Sequence, residues 1–281
     1  REVRDFALAP LAFASRDDGR LAVVGSIGAA VASGRLRSPF GQITELTLGA
    51  SPGGQLDEAL AVRPGDRVTI ELTRPDGLVE RHAHARHALL VVPHAASLRA
   101  FGPSQTQASV RLLDAGGSEL ATATTRLEGS TAVMAFGGGA LALPGMAIEA
   151  TWSDGTTAVT TLPDARLDAL RDGSRLEGTL PAGTAFDVYR EQVEAIERLG
   201  TAAADAAGML AFDVAPPLGH GERGAALVDL DGHTVLALGW TTLHLDVDLT
   251  DAIVEAELPV GRELEVTWRP VDSPALPPRR D

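Results

Sequence analysis

The sequence predicts an all-β chain made of tandem β-sandwich repeats of about 77 residues each. Three observations predict this fold: turn motifs recur at a fixed spacing, apolar and polar residues alternate in short runs, and 30 Gly and 17 Pro interrupt the 281 residues throughout. Short strands joined by turns explain all three together, because a long helix needs a run without such breakers.

The recurrence of turn motifs is the strongest of these signals. A Pro-Gly turn recurs after 80 and then, in degenerate form, after 76 residues, at Pro64-Gly65, Pro144-Gly145 and His220-Gly221. Asp-Gly turns follow behind, 78 and 77 residues apart, at Asp76-Gly77, Asp154-Gly155 and Asp231-Gly232. Strands that close on a small residue come ahead, spaced by 77, 76 and 78, at Gly25, Gly102, Gly178 and Ala256. The common period predicts three complete units and the opening of a fourth, divided as 1–86, 87–162, 163–240 and 241–281.

Within each unit, alternation of apolar and polar residues indicates strands with one buried face. Such strands need a second sheet over their apolar side, which favours a sandwich. We expect the following residues to be buried in the cores: Val68, Ile70, Val110, Leu112, Ile148, Phe186, Val188 and Phe212. Residues 187–199 carry apolar side chains at helical intervals, but the repeat register favours two strands there over a short inserted helix.

The turns and strands also follow an order that is known from a protein family. Residues 176–184 read LEGTLPAGT, residues 205–208 read DAAG ahead of Phe212 and Asp213, and Pro64-Gly65-Asp66 forms a late turn of the first unit. This order resembles the bacterial Ig-like tandem repeats of surface and secreted proteins. The resemblance covers most of residues 21–240 and implies an Ig-like sandwich fold and an extracellular setting. It brings no catalytic or binding residues with it.

The composition restricts the setting and the partners. The formal net charge is −14 and no basic block interrupts it, so nucleic acid and anionic membranes are unfavourable partners. No apolar run approaches the roughly 18 residues of a membrane-spanning helix, so no direct membrane insertion is expected. All 24 basic residues are Arg and no Asn occurs, which favours a GC-rich bacterial source. The start at Arg1 suggests a processed product, for example after removal of a signal peptide.

The sequence predicts no enzyme and no cofactor. The chain has no Cys and no Lys, which excludes a thiol nucleophile, a Schiff base or a Ser-Lys dyad. A glycine-rich phosphate loop that opens a helix and a Gly-x-Ser-x-Gly elbow are both missing. Acidic residues are plentiful, but solvated strand faces explain them better than a glycosidase pair does.

Two groups of residues invite a metal hypothesis without making it the favoured one. His82 and His84 are two residues apart in a strand and face the same way, so they suit Zn²⁺ or Cu²⁺ if a third ligand joins them. Their strand is expected to turn Val79, Ala83 and Ala85 inward, which leaves both imidazoles on an exposed polar face. Asp229 and Asp231 form half of a Ca²⁺ loop motif, although Ca²⁺ needs six or more oxygens.

Sugar binding through aromatic platforms is equally weakly supported. Only 4% of the residues are aromatic. Trp152 and Trp268 fall on the inward register of their strands, so we expect them in cores, whereas Trp240 follows Gly239 at a unit junction and is left open for a contact role.

The leading functional hypothesis is a structural or adhesive extracellular repeat protein at the surface of a bacterium, such as a filament or surface-layer subunit. The alternative is a sugar- or protein-binding module of a larger secreted protein; its partner would be a surface polysaccharide or a protein. Residues 1–8 correspond to the closing strand of a unit and residues 241–281 to an opening half. Head-to-tail self-association by strand addition would use these two segments. The alternatives are that the chain is a fragment of a longer repeat protein or that residues 241–281 fold back on the third unit.

Overall fold

The computed structural model describes residues 11–15, 20–28, 30–51, 53–170, 172–193, 195–242, 244–248 and 253–257. Strands dominate this part of the chain, and its one helical segment is a three-residue 3-10 turn at Gly137–Gly139. The all-β prediction is confirmed. None of the described residues forms a helix long and apolar enough to cross a membrane.

Three consecutive units have seven described strands each, numbered here along the chain. The first has β1 (Leu11–Ser15), β2 (Leu21–Ser26), β3 (Val31–Arg37), β4 (Ile43–Leu46), β5 (Gln55–Leu60), β6 (Arg67–Thr73) and β7 (Val79–Ala85). The second has β8 (Ala88–Val91), β9 (Ser97–Phe101), β10 (Gln107–Leu113), β11 (Glu119–Arg126), β12 (Thr131–Ala135), β13 (Ala147–Trp152) and β14 (Thr157–Thr161). The third has β15 (Arg166–Ala169), β16 (Arg175–Thr179), β17 (Ala185–Glu191), β18 (Ile196–Ala203), β19 (Met209–Asp213), β20 (Arg223–Asp229) and β21 (Thr234–Thr241).

All three units share one strand order. The first, second and fifth strands of each unit form one layer, and the fourth, third, sixth and seventh form the other. In the first unit these are the sheets β1-β2-β5 and β4-β3-β6-β7. Two antiparallel layers in this order are an Ig-like β-sandwich, so the predicted tandem Ig-like fold is confirmed. A further antiparallel pair, β22 (His244–Asp248) and β23 (Ile253–Glu257), follows the third unit.

The recurring Asp-Gly motifs form the same turn between the sixth and seventh strands of every unit. Gly77, Gly155 and Gly232 have φ values of +82°, +92° and +81°, a left-handed conformation that glycine adopts without steric cost. The preceding Asp accepts a backbone hydrogen bond from the residue two positions on, at 3.1 Å, 3.0 Å and 2.8 Å in the three units. Local chemistry therefore explains why the motif marks the repeat.

The second and third units are joined into one sheet, which the sequence did not predict. β8 of the second unit pairs in parallel with β21 of the third, with Leu89 opposite Thr234 and Val91 opposite Leu236. The result is a seven-stranded sheet in the order β12-β9-β8-β21-β20-β17-β18. The apolar core beneath it is continuous and takes residues from both units, among them Leu112 and Leu236.

The first unit has a separate core and rests on the outer face of this sheet. Its core packs the two layers together through residues such as Leu21, Val23, Leu56 and Ile70. The middle of the outer face of the seven-stranded sheet is buried as well, and Phe40 of the first unit packs against that cluster. A Cβ added to Gly65 would lie 2.9 Å from Pro39 and 3.3 Å from Phe101 of β9. The turns of the first unit that contain Pro39 and Gly65 therefore lie closely against the sheet.

Seven of the eight predicted core residues are buried, and one is not. Seven of the eight are at most 2% exposed; Phe212, on the short strand β19, is only half-buried at the side of the core and departs from the prediction. Residues 187–199 contribute to two strands, β17 and β18, as the repeat register indicated, with a register shift between Val188 and Tyr189.

Of the two described tryptophans, one agrees with its sequence prediction and one does not. Trp152 is buried as expected, and its Nε1 donates a hydrogen bond of 3.1 Å to the carbonyl oxygen of Phe101. Trp240 is 2% exposed and belongs to the shared core, so the contact role left open for it is wrong. Trp268 and the segments 1–10 and 258–281 lie outside the described residues.

Candidate functional site

The two histidines of the metal hypothesis share a face, but it is the inner face of their sheet. His84 is paired with Val68 and His82 with Ile70, and residues paired across antiparallel strands point the same way. Val79 and Ala83 are exposed instead. The expected inward set is therefore wrong for these two residues, and only Ala85 is buried as predicted.

Neighbouring side chains explain why polar groups are tolerated on this inner face. Glu80 is 5% exposed and forms an ion pair with Arg74, and His82 Nε2 lies 3.6 Å from a carboxylate oxygen of Glu80. His84 stacks on Phe13, with ring centroids 5.2 Å apart and planes 8° from parallel. Burial, with a smaller contribution from His87, lowers the pKa of His84, so the imidazole is neutral at pH 7. A stacked, neutral ring is a packing group.

The second metal hypothesis, Asp229 and Asp231, falls on a turn that these carboxylates build. Asp229 accepts a hydrogen bond of 2.7 Å from the amide of Gly232. Asp231 accepts bonds from the amides of His233 and Thr234 through one oxygen, and its other oxygen contacts the hydroxyl of Thr160. Across the described ranges, no three His, Cys, Asp or Glu side chains gather around a possible metal position. Because Thr160 is on β14, Asp231 links the third unit to the second.

A cluster of aromatic and charged side chains lies where all three units meet. His87, between β7 and β8, places Nε2 2.8 Å from a carboxylate oxygen of Asp154 and points an edge at Trp152, with centroids 5.2 Å apart. His233 of the third unit lies 3.3 Å from the carbonyl oxygen of His87 through Nδ1. Burial lowers the pKa of His87, while the Asp154 carboxylate acts in the opposite direction. These contacts hold the connection between the first and second units against the third.

A cavity of about 240 Å³ lies between the first unit and the seven-stranded sheet. Arg63 forms an ion pair with Asp187, which is 6% exposed, so the first and third units are bound by opposite charges. Arg198 and Thr201 also donate hydrogen bonds to Asp187, at 2.5 Å and 2.6 Å. The Asp187 carboxylate is thereby held by one donor from the first unit and two from β18 of the third.

Asp66 is the second buried carboxylate of this joint. It is 5% exposed, and one of its oxygens accepts a hydrogen bond of 2.8 Å from the amide of Arg63. Burial raises the pKa of Asp66 to about 6, although Arg63 and Arg86 oppose that shift. Burial also raises the pKa of Tyr189, which lines the same cavity and packs against Phe40 at 5.9 Å. The joint therefore contains a buried acid whose pKa lies above that of a free aspartate.

Neither the protein-family models nor the curated proteins include a match to this chain. Among solved structures, the chain is similar to a tetra-tandem repeat in the extending region of a large adhesion protein, at 14% identity over 83% of this chain and 74% of that one, with a TM-score of 0.20. It is also similar to the BSP domain of a biofilm-associated protein, at 10% identity over 83% and 66% of the two chains, with a TM-score of 0.23.

A third similar structure is the Bacteroides ovatus protein SGBP-B in complex with a mixed-linkage heptasaccharide, at 10% identity over 92% and 76% of the two chains and a TM-score of 0.20. Superpositions this loose transfer no property to the present chain. Its own strand order and joints define its class: an array of Ig-like β-sandwiches whose units are fixed to one another.

Proposed function

We propose that the chain is a non-catalytic, structural or adhesive repeat protein of the bacterial exterior. The observation that supports this most is that three sandwiches of one strand order are held in a fixed relation. Neighbouring domains in one chain are expected to move relative to each other unless their interface is large and apolar. Here the second and third units share a sheet and a core, and the first is held to that sheet by Phe40 and by the Arg63–Asp187 pair.

A fixed array suits mechanical spacing and surface presentation. Part of its buried surface lies between units. Two groups of ionisable side chains, one around His87 and one around Asp187, hold the units together. The main polar contacts of each cluster are made within the chain, by His87 with Asp154 and by Asp187 with Arg63. A catalytic role would instead need groups directed at a bound substrate. The GC-rich bacterial source proposed from the composition agrees with this setting.

Retention of cells under flow tests the proposal. The chain is displayed on a non-adherent bacterium, and cells are washed over surfaces coated with neutral polysaccharide, acidic polysaccharide or protein. We expect retention several-fold above cells that carry the display anchor alone, or ordered assemblies of the purified protein in electron microscopy. Absence of both would contradict the proposal. Hydrolysis of a panel substrate that is lost on mutating one carboxylate pair would overturn its non-catalytic part.

A finer form of the proposal is head-to-tail self-association. β22 and β23 pair antiparallel as the first two strands of every complete unit do, for example β1 with β2, so they suit the opening of a fourth sandwich. Strand addition from a second copy would complete it. Deletion of residues 1–10 should then abolish assemblies that light scattering detects in the intact chain. Assemblies of undiminished size after the deletion would exclude this exchange.

The alternative, a binding module for a sugar or protein ligand, is favoured by one specific surface. The outer face of the β4-β3-β6-β7 sheet carries a groove of about 230 Å³ lined by arginines.

A further inference from the structure

The groove on the first unit gathers positive charge on a chain that is strongly negative. Arg35 and Arg37 of β3, Arg67 of β6 and Arg81 of β7 line it together, whereas the formal net charge of the chain is −14. The cross-strand register brings these residues to one face, because Arg37 lies opposite Arg67 and Arg81 lies opposite Glu71. The concentration of charge is therefore a product of the fold that the sequence pattern alone does not reveal.

Two of the four arginines are neutralised within the sheet and two are not. Arg35 pairs with Glu45 at 3.0 Å, and Arg81 pairs with Glu71 at 2.6 Å. Within the described part of the chain, neither Arg37 nor Arg67 forms an ion pair. Four arginines against these two glutamates leave the face with a charge of +2 on formal counting.

The two arginines that have no carboxylate partner lie in positions that are unfavourable for stability. Like charges directly opposite each other on neighbouring strands repel, and Arg37 and Arg67 are such a pair. The Nε of Arg67 is buried and has no hydrogen-bond partner among the described residues. Buried donors without a partner are costly, and two guanidinium groups side by side without a carboxylate leave an anion-binding position on this face.

We propose that this face binds the carboxylates of an acidic polysaccharide, with Arg37 and Arg67 as the central contacts. Guanidinium groups match carboxylates with two parallel hydrogen bonds. The aliphatic stems of the arginines and Ile43, which is 58% exposed, offer an apolar strip beside them for sugar rings. The proposal rests on the adhesive function proposed above and names the ligand class of that function.

Charge density selects a polysaccharide over a nucleic acid. Duplex DNA has about one negative charge per 1.7 Å, whereas sugar carboxylates are spaced more widely, so the repulsion from the remaining acidic surface is smaller. Screening over about 8 Å at physiological salt confines the interaction to the local +2 face. An open groove on the face of a sheet also suits an extended chain better than a compact anion.

Titration calorimetry with polygalacturonate as the probe tests the assignment. The variant is Arg37→Gln with Arg67→Gln, and the matched control is Arg99→Gln with Arg126→Gln, which removes two exposed arginines from the second unit. We expect the intact chain to bind and the variant to lose affinity by about tenfold or more, with a smaller salt dependence. The control should bind within about twofold of the intact chain. Thermal unfolding of the variant should be unchanged or shifted upward, because the like-charge pair is gone.

Several results would overturn the assignment. An equal loss in the control would mean non-specific charge attraction, and preferred binding of polyglutamate or an oligonucleotide at the same arginines would mean another ligand class. No binding of polygalacturonate would also overturn it. Cells that display the Arg37→Gln, Arg67→Gln variant distinguish a failure of this site from a failure of the adhesive function. Retention as strong as that of the intact chain would overturn the assignment of the site and leave the adhesive function in place.

Discussion

Truncation of Leu112 to Ala is expected to destabilise the second and third units together. Leu112 is fully buried on β10 of the second unit, in the core that extends beneath β17 and β20 of the third. A buried Leu→Ala change costs about 2–5 kcal/mol, and about 3 kcal/mol is a central value for a site that cannot collapse. If the two units open as one, the slowest-exchanging amides of both should exchange about two orders of magnitude faster.

Hydrogen exchange measured by mass spectrometry gives both readings from one sample. Peptides from β10 and β13 report on the second unit, and peptides from β17 and β20 report on the third. Leu72→Ala is the matched control, because Leu72 is equally buried but belongs to the separate core of the first unit. The control should accelerate exchange in β6 and leave β17 unchanged. Faster exchange in β10 with unchanged protection in β17 would refute a common opening.

Three further substitutions test particular contacts. Burial raises the pKa of Asp66 to about 6, so ionisation of this carboxyl destabilises the fold. Stability is therefore lost as the pH rises from about 4 to 6. Asp66→Asn should remove this decline and raise the free energy of unfolding at pH 7 by about 1–3 kcal/mol. Denaturant titrations of both proteins across that range check it, and parallel curves would contradict it. Gly224→Ala places a Cβ 2.0 Å from the carbonyl oxygen of Tyr189, so it should cost about 3 kcal/mol or more, while Gly137→Ala, which meets nothing within 4 Å, should leave the melting temperature unchanged. Asp231→Ala removes a turn acceptor and the link to Thr160 and should cost about 2–3 kcal/mol by denaturant unfolding, against about 1 for Asp76→Ala; equal costs would exclude a contribution from the link between units.

The recurring turns and most inward residues of a unit could be predicted because they rest on local chemistry. The Asp-Gly turns repeat one hydrogen-bond pattern, and alternation identified the inward residues of β6 and β10. On β7 the same reasoning failed: the apolar residues Val79 and Ala83 suggested the inner face, but pairing with β6 turned Glu80, His82 and His84 inward. The ion pair of Glu80 with Arg74 makes that register acceptable, and such a partner is not visible in a pattern of alternation.

The joints between units depend on contacts that are distant in sequence. The parallel pairing of β8 with β21 joins residues about 145 positions apart, and no spacing rule predicts it. A signal was present, since β8 reads ALLV and β21 begins with TVLAL, continuous apolar runs typical of parallel strands buried on both faces. The site at Arg63, Asp66 and Asp187 gave no comparable signal, because Asp66 was recognised only as part of a turn motif.

The second and third units are fixed in one sheet, and a distance between spin labels tests this relation most directly. The chain has no Cys, so Val133→Cys on β12 and Ala203→Cys on β18 introduce two unique and exposed attachment sites at opposite edges of the sheet. Both positions lie in one row of cross-strand neighbours that runs across the sheet. Val133 is opposite Arg99, Arg99 is opposite Leu90, and Leu90 is opposite Val235. At the other edge of the sheet, Ala185 is opposite Ala203.

Six interstrand spacings of about 4.8 Å separate the two positions, which gives about 29 Å between their backbones. Pulsed electron paramagnetic resonance should yield one narrow distribution centred close to that distance, widened only by the label linkers. A broad distribution, or one centred well beyond about 45 Å, would mean that the units move independently, and it would contradict the fixed array.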